Sequence, residues 1–193
     1  MIWFTSDTHY GHNSIIRYCN RPFKDSTEMD ETLITNWNKV VKVNDTVYHL
    51  GDFAFKPAPN YMQRLNGRVH LIRGNHDYRN KKYESFFESV HDLYELKING
   101  LSIVLCHYAM RVWPRSHYNS WHLYGHSHGG LSHGELGVYG KSMDVGVDCN
   151  NFTPISLDQV TEKMKTLPDN FNWVKRLPGY DEKEFEEYRN KED

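Results

Sequence analysis

Short apolar runs on either side of one long amphipathic stretch mark the first half of the chain. The runs that predict buried strands are residues 2–5, 46–50 and 68–72. Apolar residues recur at helical spacing behind Asp25 and Glu28, which resemble a capping box, so residues 26–41 predict an amphipathic helix. A shorter helix is predicted at about residues 60–65. This alternation of strands and helices favours a parallel-rich sheet.

The second half of the chain is richer in strands. Leu93–Ile98 and Leu101–Cys106 flank Asn99-Gly100, a dipeptide typical of two-residue hairpin turns, so the two runs predict an antiparallel pair. Further predicted elements are strands at residues 121–124 and 143–147 and a helix at residues 156–165. Strand-rich segments beside strand–helix–strand units predict two packed sheets with helices outside them.

The last 26 residues differ in composition from the rest of the chain, with eight acidic and five basic residues. We therefore predict that residues 168–193 form a charged C-terminal tail, with a peripheral helix, and that residues 1–167 form one domain. Phe171, Trp173 and Leu177 are the side chains through which this tail could contact the domain.

The overall composition is that of a folded protein without a dominant charge. Hydrophobic residues make up 38% of the 193 residues and aromatic residues 14%, which allows a sizeable core and excludes a mostly disordered chain. A net charge of −2 gives no basic field for nucleic acid or an anionic membrane, so we expect neither as a stable partner. Three cysteines without CxxC spacing, and an apolar start too short for a signal peptide, favour a cytoplasmic location.

Seven side chains that can bind metal occur at five places along the chain, each just after a short apolar run. They are Asp7, His9, Asp52, Asn75, His107, His126 and His128. Strand ends are where an α/β sheet presents ligands to solvent. All seven donors are oxygen or nitrogen, which suits manganese, iron, zinc or magnesium better than a thiolate-preferring ion. Each place alone has an ordinary explanation in turn or capping chemistry, and it is the joint pattern that indicates a metal centre.

The order of these places, DxH, GD, GNHD, H and GHxH, resembles that of the calcineurin-like metallophosphoesterase superfamily over residues 2 to about 165. The opening SDTHYGHNSIIRYCNRPF is similar to that of small prokaryotic and phage-borne phosphoesterases, which begin SDTHFGH and continue into an RPF segment. The resemblance implies an α/β fold of the metallophosphoesterase type, a four-layer αββα sandwich with two packed mixed β-sheets.

The resemblance also implies a role for each predicted ligand. The first metal would be held by Asp7, His9 and His128, the second by Asn75, His107 and His126, with Asp52 bridging both. His76 would be the catalytic residue. The implied enzyme is a dinuclear metal-dependent phosphoesterase. It would hydrolyse a small phosphoester, a phosphodiester or a nucleotide, by in-line attack of a metal-bridging hydroxide. We expect two divalent cations, Mn²⁺ first, with Fe, Zn, Ni or Mg as alternatives.

The second of the five places, at residues 51–52, differs from the motif found in one branch of the superfamily. Protein Ser/Thr phosphatases carry GDxVDRG there, and the second Asp of that motif orients the catalytic histidine. Here residues 51–56 read GDFAFK, without that Asp and Arg. His76 therefore needs another orienting partner, and a phosphoprotein substrate is not expected. Asp77 is one candidate partner, although it could equally support a metal ligand.

Two further residues are predicted to contact the substrate. His12 lies in the first metal loop, where its imidazole could reach a phosphate. Arg111 follows His107 closely and could form a phosphate clamp. An ordinary loop histidine and a solvated loop arginine are the alternative interpretations.

Other polar residues have less specific interpretations. Asp144 and Asp148 either support the GHxH loop or face solvent on an edge strand. His49 is expected in the core because it lies within an apolar strand, whereas His122 is expected at the surface.

Two other functions compete with a small-molecule phosphoesterase. Repair-type nucleases of this superfamily generally carry an added DNA-binding or capping domain, and neither the length nor the charge of this chain leaves room for one. Non-catalytic protein-binding scaffolds lose metal-site histidines, especially the one after Asn. Here His76 and all seven predicted ligands are present.

Overall fold

A computed structural model of the protein describes residues 1–131 and 140–174. The strands in chain order are β1 (Ile2–Thr5), β2 (Thr46–His49), β3 (Arg68–Ile72), β4 (Ser89–His91), β5 (Leu93–Ile98), β6 (Leu101–Cys106), β7 (Trp121–Tyr124), β8 (Ser142–Asp144) and β9 (Ile155–Ser156). The α-helices are α1 (Asn13–Tyr18), α2 (Ser26–Val40), α3 (Pro59–Met62) and α4 (Leu157–Thr166). Tighter 3₁₀ helices cover Asp77–Phe86, Ser116–Tyr118 and Val147–Cys149.

The first sheet has the strand order β4-β3-β2-β1-β9. Strands β1 to β4 run parallel, and β9 pairs antiparallel with β1. Because β1, β2 and β3 are parallel neighbours, their carboxyl ends meet at one edge of the sheet, and the loops after them start there. The three strands predicted in the first half of the chain are confirmed to within a residue.

The second sheet has the strand order β5-β6-β7-β8. β5 and β6 form the predicted hairpin, while β6, β7 and β8 run parallel, so this sheet is also mixed. In the turn, Asn99 and Gly100 have φ values of 50° and 78°. Positive φ at both central residues is the mark of a type I′ turn, which matches the right-handed twist of the strands it joins.

The two sheets pack against each other through an apolar core that also includes α4. Its buried side chains include Phe4 and Leu50 beside the first sheet, Leu105 and Leu123 from the second, and Met164 from α4. Burial on this scale is the main stabilising contribution to the fold. The predicted α/β class with two packed mixed sheets is confirmed.

Helix α2 covers the other face of the first sheet. Its apolar side, which includes Leu33 and Trp37, is buried in one cluster with Val47 and Val69 of the sheet. The predicted cap is confirmed at Asp25, whose Oδ1 accepts the backbone N–H groups of residues 27 and 28 at 2.9 Å each. The reciprocal half of a capping box is shifted by one residue, because the Glu28 carboxylate accepts the N–H of residue 24.

Part of the loop after β6 lies over the outer face of the second sheet, where His122 is fully buried. The Trp113 ring lies 5.2 Å from the His122 ring, and the Met110 N–H donates to His122 Nε2 at 3.1 Å. Burial lowers the pKa of His122 to about 4. The prediction of a surface position for His122 is therefore wrong, whereas His49 is buried as predicted.

The start of the C-terminal tail is held by a residue that the sequence did not single out. Asn170 is buried, and its amide donates to the carbonyls of Ser116 and Ser120 at 2.9 Å each. Phe171 is 55% exposed, so it is not the docking contact that was predicted. The predicted tail helix beyond residue 174, with Leu177, lies outside the described residues. Among the residues that are described, no helix has the length and apolar character needed to cross a membrane.

Candidate metal centre

The loops after β1, β2, β3, β6 and β7 bring the seven predicted ligands to one end of the two sheets. Five of the seven have left-handed backbone conformations, with φ of 58° at Asp7, 50° at His9, 55° at Asp52, 65° at His126 and 46° at His128. This conformation costs a non-glycine residue on the order of 1–3 kcal/mol and persists only where the surroundings impose it. Strain concentrated on these residues is typical of a functional site.

Asp7, His9 and His128 form the first group of donors. Asp7 Oδ1 lies 3.8 Å from His9 Nε2 and 4.0 Å from His128 Nε2. One donor atom from each residue lies within 4.8 Å of the other two. These are the three residues predicted to hold the first metal, and they are close enough to surround one cation.

Asp52, His107 and His126 form the second group, again with one donor atom from each within 4.8 Å of the others. Asn75 joins them, since its Oδ1 lies 3.2 Å from His107 Nε2. His107 is fully buried, whereas Asn75 and His126 are exposed. The second group is therefore open to solvent on one side, where a substrate can enter.

Asp52 connects the two groups through a single oxygen. Its Oδ2 lies 3.6 Å from His9 Nε2 in the first group and 3.6 Å from His107 Nε2 in the second. Its other oxygen, Oδ1, accepts the backbone N–H of His76 at 3.0 Å. A carboxylate oxygen between two sets of metal-capable donors is in a position from which it could bridge two cations.

The chemistry of the donors fits divalent cations. Asp7 is fully buried and its Oδ1 has no hydrogen-bond partner among the described residues, and the same holds for His9 Nε2. Burial, acting on the protein groups alone, raises the pKa of Asp7 to about 8 and lowers the pKa values of His9 and His107. Neutral imidazoles are the form that binds metal, and a nearby cation favours the buried carboxylate.

Backbone and carboxylate oxygens orient two of the ligand imidazoles. His107 Nδ1 lies 2.7 Å from the carbonyl of Leu50, so Nδ1 carries the proton. The unprotonated Nε2 is then free to act as a metal ligand. His128 Nδ1 lies 2.7 Å from Asp148 Oδ2, which leaves its Nε2 facing Asp7. Burial opposes protonation of His128, but among the protein groups alone the hydrogen bonds to Asp148 and Cys19 and the nearby Asp7 carboxylate outweigh it and raise the pKa of His128 to about 10. A cation bound at Nε2 would therefore have to displace the proton there.

Asp144 and Asp148 both support the GHxH loop, which decides between the two interpretations left open for them. Asp144 Oδ2 accepts the hydroxyl of Ser127 at 2.5 Å and the N–H of Gly129 at 3.1 Å. Asp148 holds His128 as described above. Neither carboxylate is a solvated group on an edge strand.

Arg21 contacts the candidate centre, and the sequence did not indicate this, although Arg21 begins the RPF segment. Its guanidinium donates to both carboxylate oxygens of Asp148, at 2.8 and 2.7 Å. It also donates to the carbonyls of Asp7 at 2.7 Å and Thr8 at 3.2 Å. The buried guanidinium of Arg21 therefore joins the backbone of the first metal loop to the carboxylate of Asp148, which orients His128.

Asp77 supports the bridging loop and does not orient His76. Its Oδ2 accepts the N–H groups of Asp52 at 2.7 Å and Gly74 at 2.8 Å, and its Oδ1 accepts the N–H of Phe53 at 3.1 Å. Both carboxylate oxygens are thus engaged by the backbone beside Asp52. Of the two interpretations of Asp77, the structure favours support of a metal ligand.

His76, His12 and Arg111 lie at different distances from the donor groups. His76 Nε2 is 3.8 Å from Asp52 Oδ2, and its side chain is 30% exposed, so it faces both the centre and solvent. The His12 ring lies 5.5 Å from that of His9. Arg111 is exposed in the loop after β6, and its contact with a substrate phosphate stays a prediction.

Comparisons with known proteins cover most of the chain. The family model of the calcineurin-like phosphoesterase superfamily domain matches residues 1–137. The uncharacterized protein MJ1445 of Methanocaldococcus jannaschii is 36% identical over 168 residues, which is 83% of this chain and 89% of that protein. The gene 66 protein of Mycobacterium phage L5 is 40% identical over 81 residues, 39% of each protein. A solved structure, that of AQ665 from Aquifex aeolicus, a protein of unknown function, has a TM-score of 0.68 at 27% identity and covers 84% of this chain and 98% of its own.

The family match and the geometry agree. The matched segment, residues 1–137, contains all seven predicted ligands and His76, and the structure brings those ligands together around Asp52. The similar proteins come from an archaeon, a phage and a bacterium, in keeping with the predicted prokaryotic and phage type. This chain is a member of the calcineurin-like phosphoesterase superfamily, as its sequence predicted.

Proposed function

We propose that this protein is a dinuclear metal-dependent phosphoesterase that hydrolyses a small phosphoester, either a phosphodiester or a nucleotide. The observation that carries the proposal is Asp52 Oδ2, which lies 3.6 Å from a donor nitrogen of each ligand group. A carboxylate in that position can bridge two cations and offset their mutual repulsion. Asp7, His9 and His128 would hold one cation, and Asn75, His107 and His126 the other.

When bound, two such cations would supply a nucleophile at neutral pH and neutralise charge on the phosphoryl oxygens. The chain itself supplies the remaining group. His76, with its side chain 30% exposed beside Asp52, can hold a proton at Nε2 and pass it to the leaving oxygen. Its backbone N–H fixes Asp52 Oδ1, so the same residue also helps to aim the bridging oxygen.

The substrate that fits this site is small and anionic. The net charge of −2 provides no field for a polynucleotide, which favours a small substrate over a nucleic acid. His12 and Arg111 are proposed to contact the phosphate. We further propose Mn²⁺ as the physiological metal, because a set of oxygen and nitrogen donors with an amide oxygen suits it. A cytoplasmic location, without a membrane or a stable nucleic-acid partner, completes the proposal.

The proposal is tested by removing and restoring metal. Protein treated with a chelator and then loaded with Mn²⁺ should bind about two ions per chain. Only the loaded form should hydrolyse bis-p-nitrophenyl phosphate, with a rate at least about 100-fold above that of the stripped form, since metal effects of this kind are worth several kcal/mol. Equal rates with and without metal would contradict the proposal.

A panel of nucleotides and phosphodiesters assayed under the same conditions would narrow the substrate class. A supercoiled plasmid belongs in that panel, because its efficient cleavage would favour a nuclease over a small-molecule enzyme. Binding of Mn²⁺ without hydrolysis of any member would instead favour a non-catalytic scaffold.

A further inference from the structure

The His76 ring is held by packing against other side chains and not by a hydrogen bond from its Nδ1 to a described acceptor. Its Nδ1 is buried and has no hydrogen-bond partner among the side chains described, those of residues 1–78, 83–131 and 140–174. The neighbouring Asp77 accepts three backbone N–H groups near Asp52 and makes no hydrogen bond to the Nδ1 of His76. A proton donor needs a fixed direction toward the leaving oxygen. For His76 that direction must come from the side chains around it.

Those side chains form an aromatic cluster, which we define as His9, His12, Phe55 and His76. Every pair of rings within it has centroids between 3.6 and 6.5 Å apart. Phe55 makes the two closest contacts. It stacks on His12 at 3.6 Å with an interplanar angle of 14°, and it lies 4.6 Å from His76 at 47°. The tilted contact between Phe55 and His76 lies within the preferred range of centroid distances for aromatic pairs, and the contact between Phe55 and His12 is closer than that range.

The backbone fixes where Phe55 lies. The N–H of Phe55 donates to the carbonyl of Tyr10 at 2.9 Å, and the N–H of Tyr10 donates to the carbonyl of Phe53 at 3.0 Å. Tyr10 and Ala54 form a parallel bridge between the first metal loop and the bridging loop. Tyr10 is itself fully buried, so this pairing is anchored in the core. The backbone position of Phe55 is therefore built into the site.

We propose that Phe55 is the positioning residue for His76. By packing against the imidazole, Phe55 holds the His76 ring in one orientation. In the protein phosphatases with GDxVDRG, the second Asp of that motif orients the histidine instead. The inference rests on the proposed function, in which His76 protonates the leaving oxygen. It adds that His12, stacked on Phe55, supports the same packing in addition to any contact with a phosphate.

The test measures kcat and KM of the Mn²⁺-loaded protein on two diesters. Bis-p-nitrophenyl phosphate has a good leaving group that needs little protonation, and diphenyl phosphate has a poorer one. The variants are Phe55→Ala, Phe55→Tyr, His76→Ala and the Phe55→Ala/His76→Ala double variant. Phe171→Ala is the matched control, because Phe171 is also an exposed phenylalanine but lies in the tail.

We expect Phe55→Ala to lower kcat on diphenyl phosphate about 10-fold or more, which is part of the full effect of a general acid. On bis-p-nitrophenyl phosphate, whose leaving group needs little protonation, kcat should fall less than about threefold. Metal content should not change, and any rise in KM that comes from disturbing His12 should be equal for the two substrates. Phe55→Tyr should restore kcat, because it keeps the ring. In the His76→Ala background, Phe55→Ala should change kcat less than about threefold, since a residue that acts through His76 has no effect without it.

Three outcomes would overturn the inference alone. These are equal losses caused by Phe55→Ala with and without His76, loss of metal in Phe55→Ala, and equal losses on the two substrates. If Phe55→Ala does not fold, Phe55→Leu serves in its place, because it keeps apolar bulk but not the planar ring. A Mn²⁺-loaded wild-type protein that hydrolyses neither the two diesters nor any nucleotide of the panel would refute the proposed function itself. A His76→Ala variant with unchanged kcat on diphenyl phosphate would refute the role of His76 as the proton donor, and with it the inference about Phe55.

Discussion

Replacing Arg21 should weaken both the fold and the first donor group. The Arg21 side chain is fully buried, and it pairs with both oxygens of Asp148 while donating to the carbonyls of Asp7 and Thr8. Asp148 in turn holds His128. Arg21→Met keeps much of the apolar length of the side chain but removes every one of these donors. The change therefore isolates the charge and the hydrogen bonds from the packing.

The size of the effect follows from the burial of the pair. Removing one partner of a buried ion pair costs about 3–5 kcal/mol, because the other charge is left without compensation. The Asp148 side chain is 9% exposed and keeps its hydrogen bond to His128, so we expect the lower end, about 3 kcal/mol of unfolding free energy. Since Asp148 is left less well fixed, the affinity for a cation at Asp7, His9 and His128 should fall about 10- to 100-fold.

Urea unfolding with a chelator present measures the stability, and competition titration with Mn²⁺ measures the affinity. The control is Arg64→Met, because Arg64 makes a similar two-bond pair with Glu31 but at the surface, with the side chains 44% and 56% exposed. That pair should contribute less than about 1 kcal/mol. If Arg21→Met costs no more than Arg64→Met and leaves Mn²⁺ affinity unchanged, the reasoning about Arg21 is wrong.

Three further predictions concern single carboxylates and His76. Asp52→Ala should lose both cations and activity together, and a variant that retains two metals per chain by elemental analysis would rule out a bridging role. His76→Ala should keep its metal content while kcat on a poor leaving group falls about 10²- to 10⁴-fold, and wild-type kcat would exclude His76 as the acid. Hydrogen bonds from the N-terminal ammonium, the Lys42 N–H and the Trp3 indole lower the pKa of Asp45 from 3.8 to about 2. Because that pKa is depressed in the folded state, its stabilisation is present above about pH 4 and is lost as the pH falls toward 2. Asp45→Asn should flatten the stability profile in that window, and an unchanged acid profile in urea unfolding would contradict this.

Elements with strong local patterns were predictable from the sequence. The apolar strands β1, β2, β3 and β7, the Asn99-Gly100 hairpin and helix α2 all follow from hydrophobic periodicity, turn residues and a capping residue. Strand β4 (Ser89–His91) was missed because it is short, contains two polar residues in three, and pairs only along β3. The 3₁₀ helix Asp77–Phe86 was missed because it has no apolar periodicity of its own.

The convergence of the seven predicted ligands could be foreseen because each follows a strand, whereas the residues that support them depend on tertiary contacts. Arg21 and Asp148 are 127 positions apart, and no local pattern links them. Phe55 looked like an ordinary apolar residue in a loop, since its significance comes from the Tyr10–Ala54 bridge. His122 looked like a surface histidine, because its burial depends on a loop that packs the Trp113 ring against it and donates a backbone hydrogen bond to it, and no local pattern indicates this contact.

The central claim is that Asp52 joins two cations, and anomalous diffraction from crystals of the Mn²⁺-loaded protein tests it most directly. We predict two peaks about 3.5–4 Å apart, with Asp52 Oδ2 bound to both. Asp7, His9 and His128 should surround one peak, and Asn75, His107 and His126 the other. A single peak, or two peaks without Asp52 between them, would contradict the account.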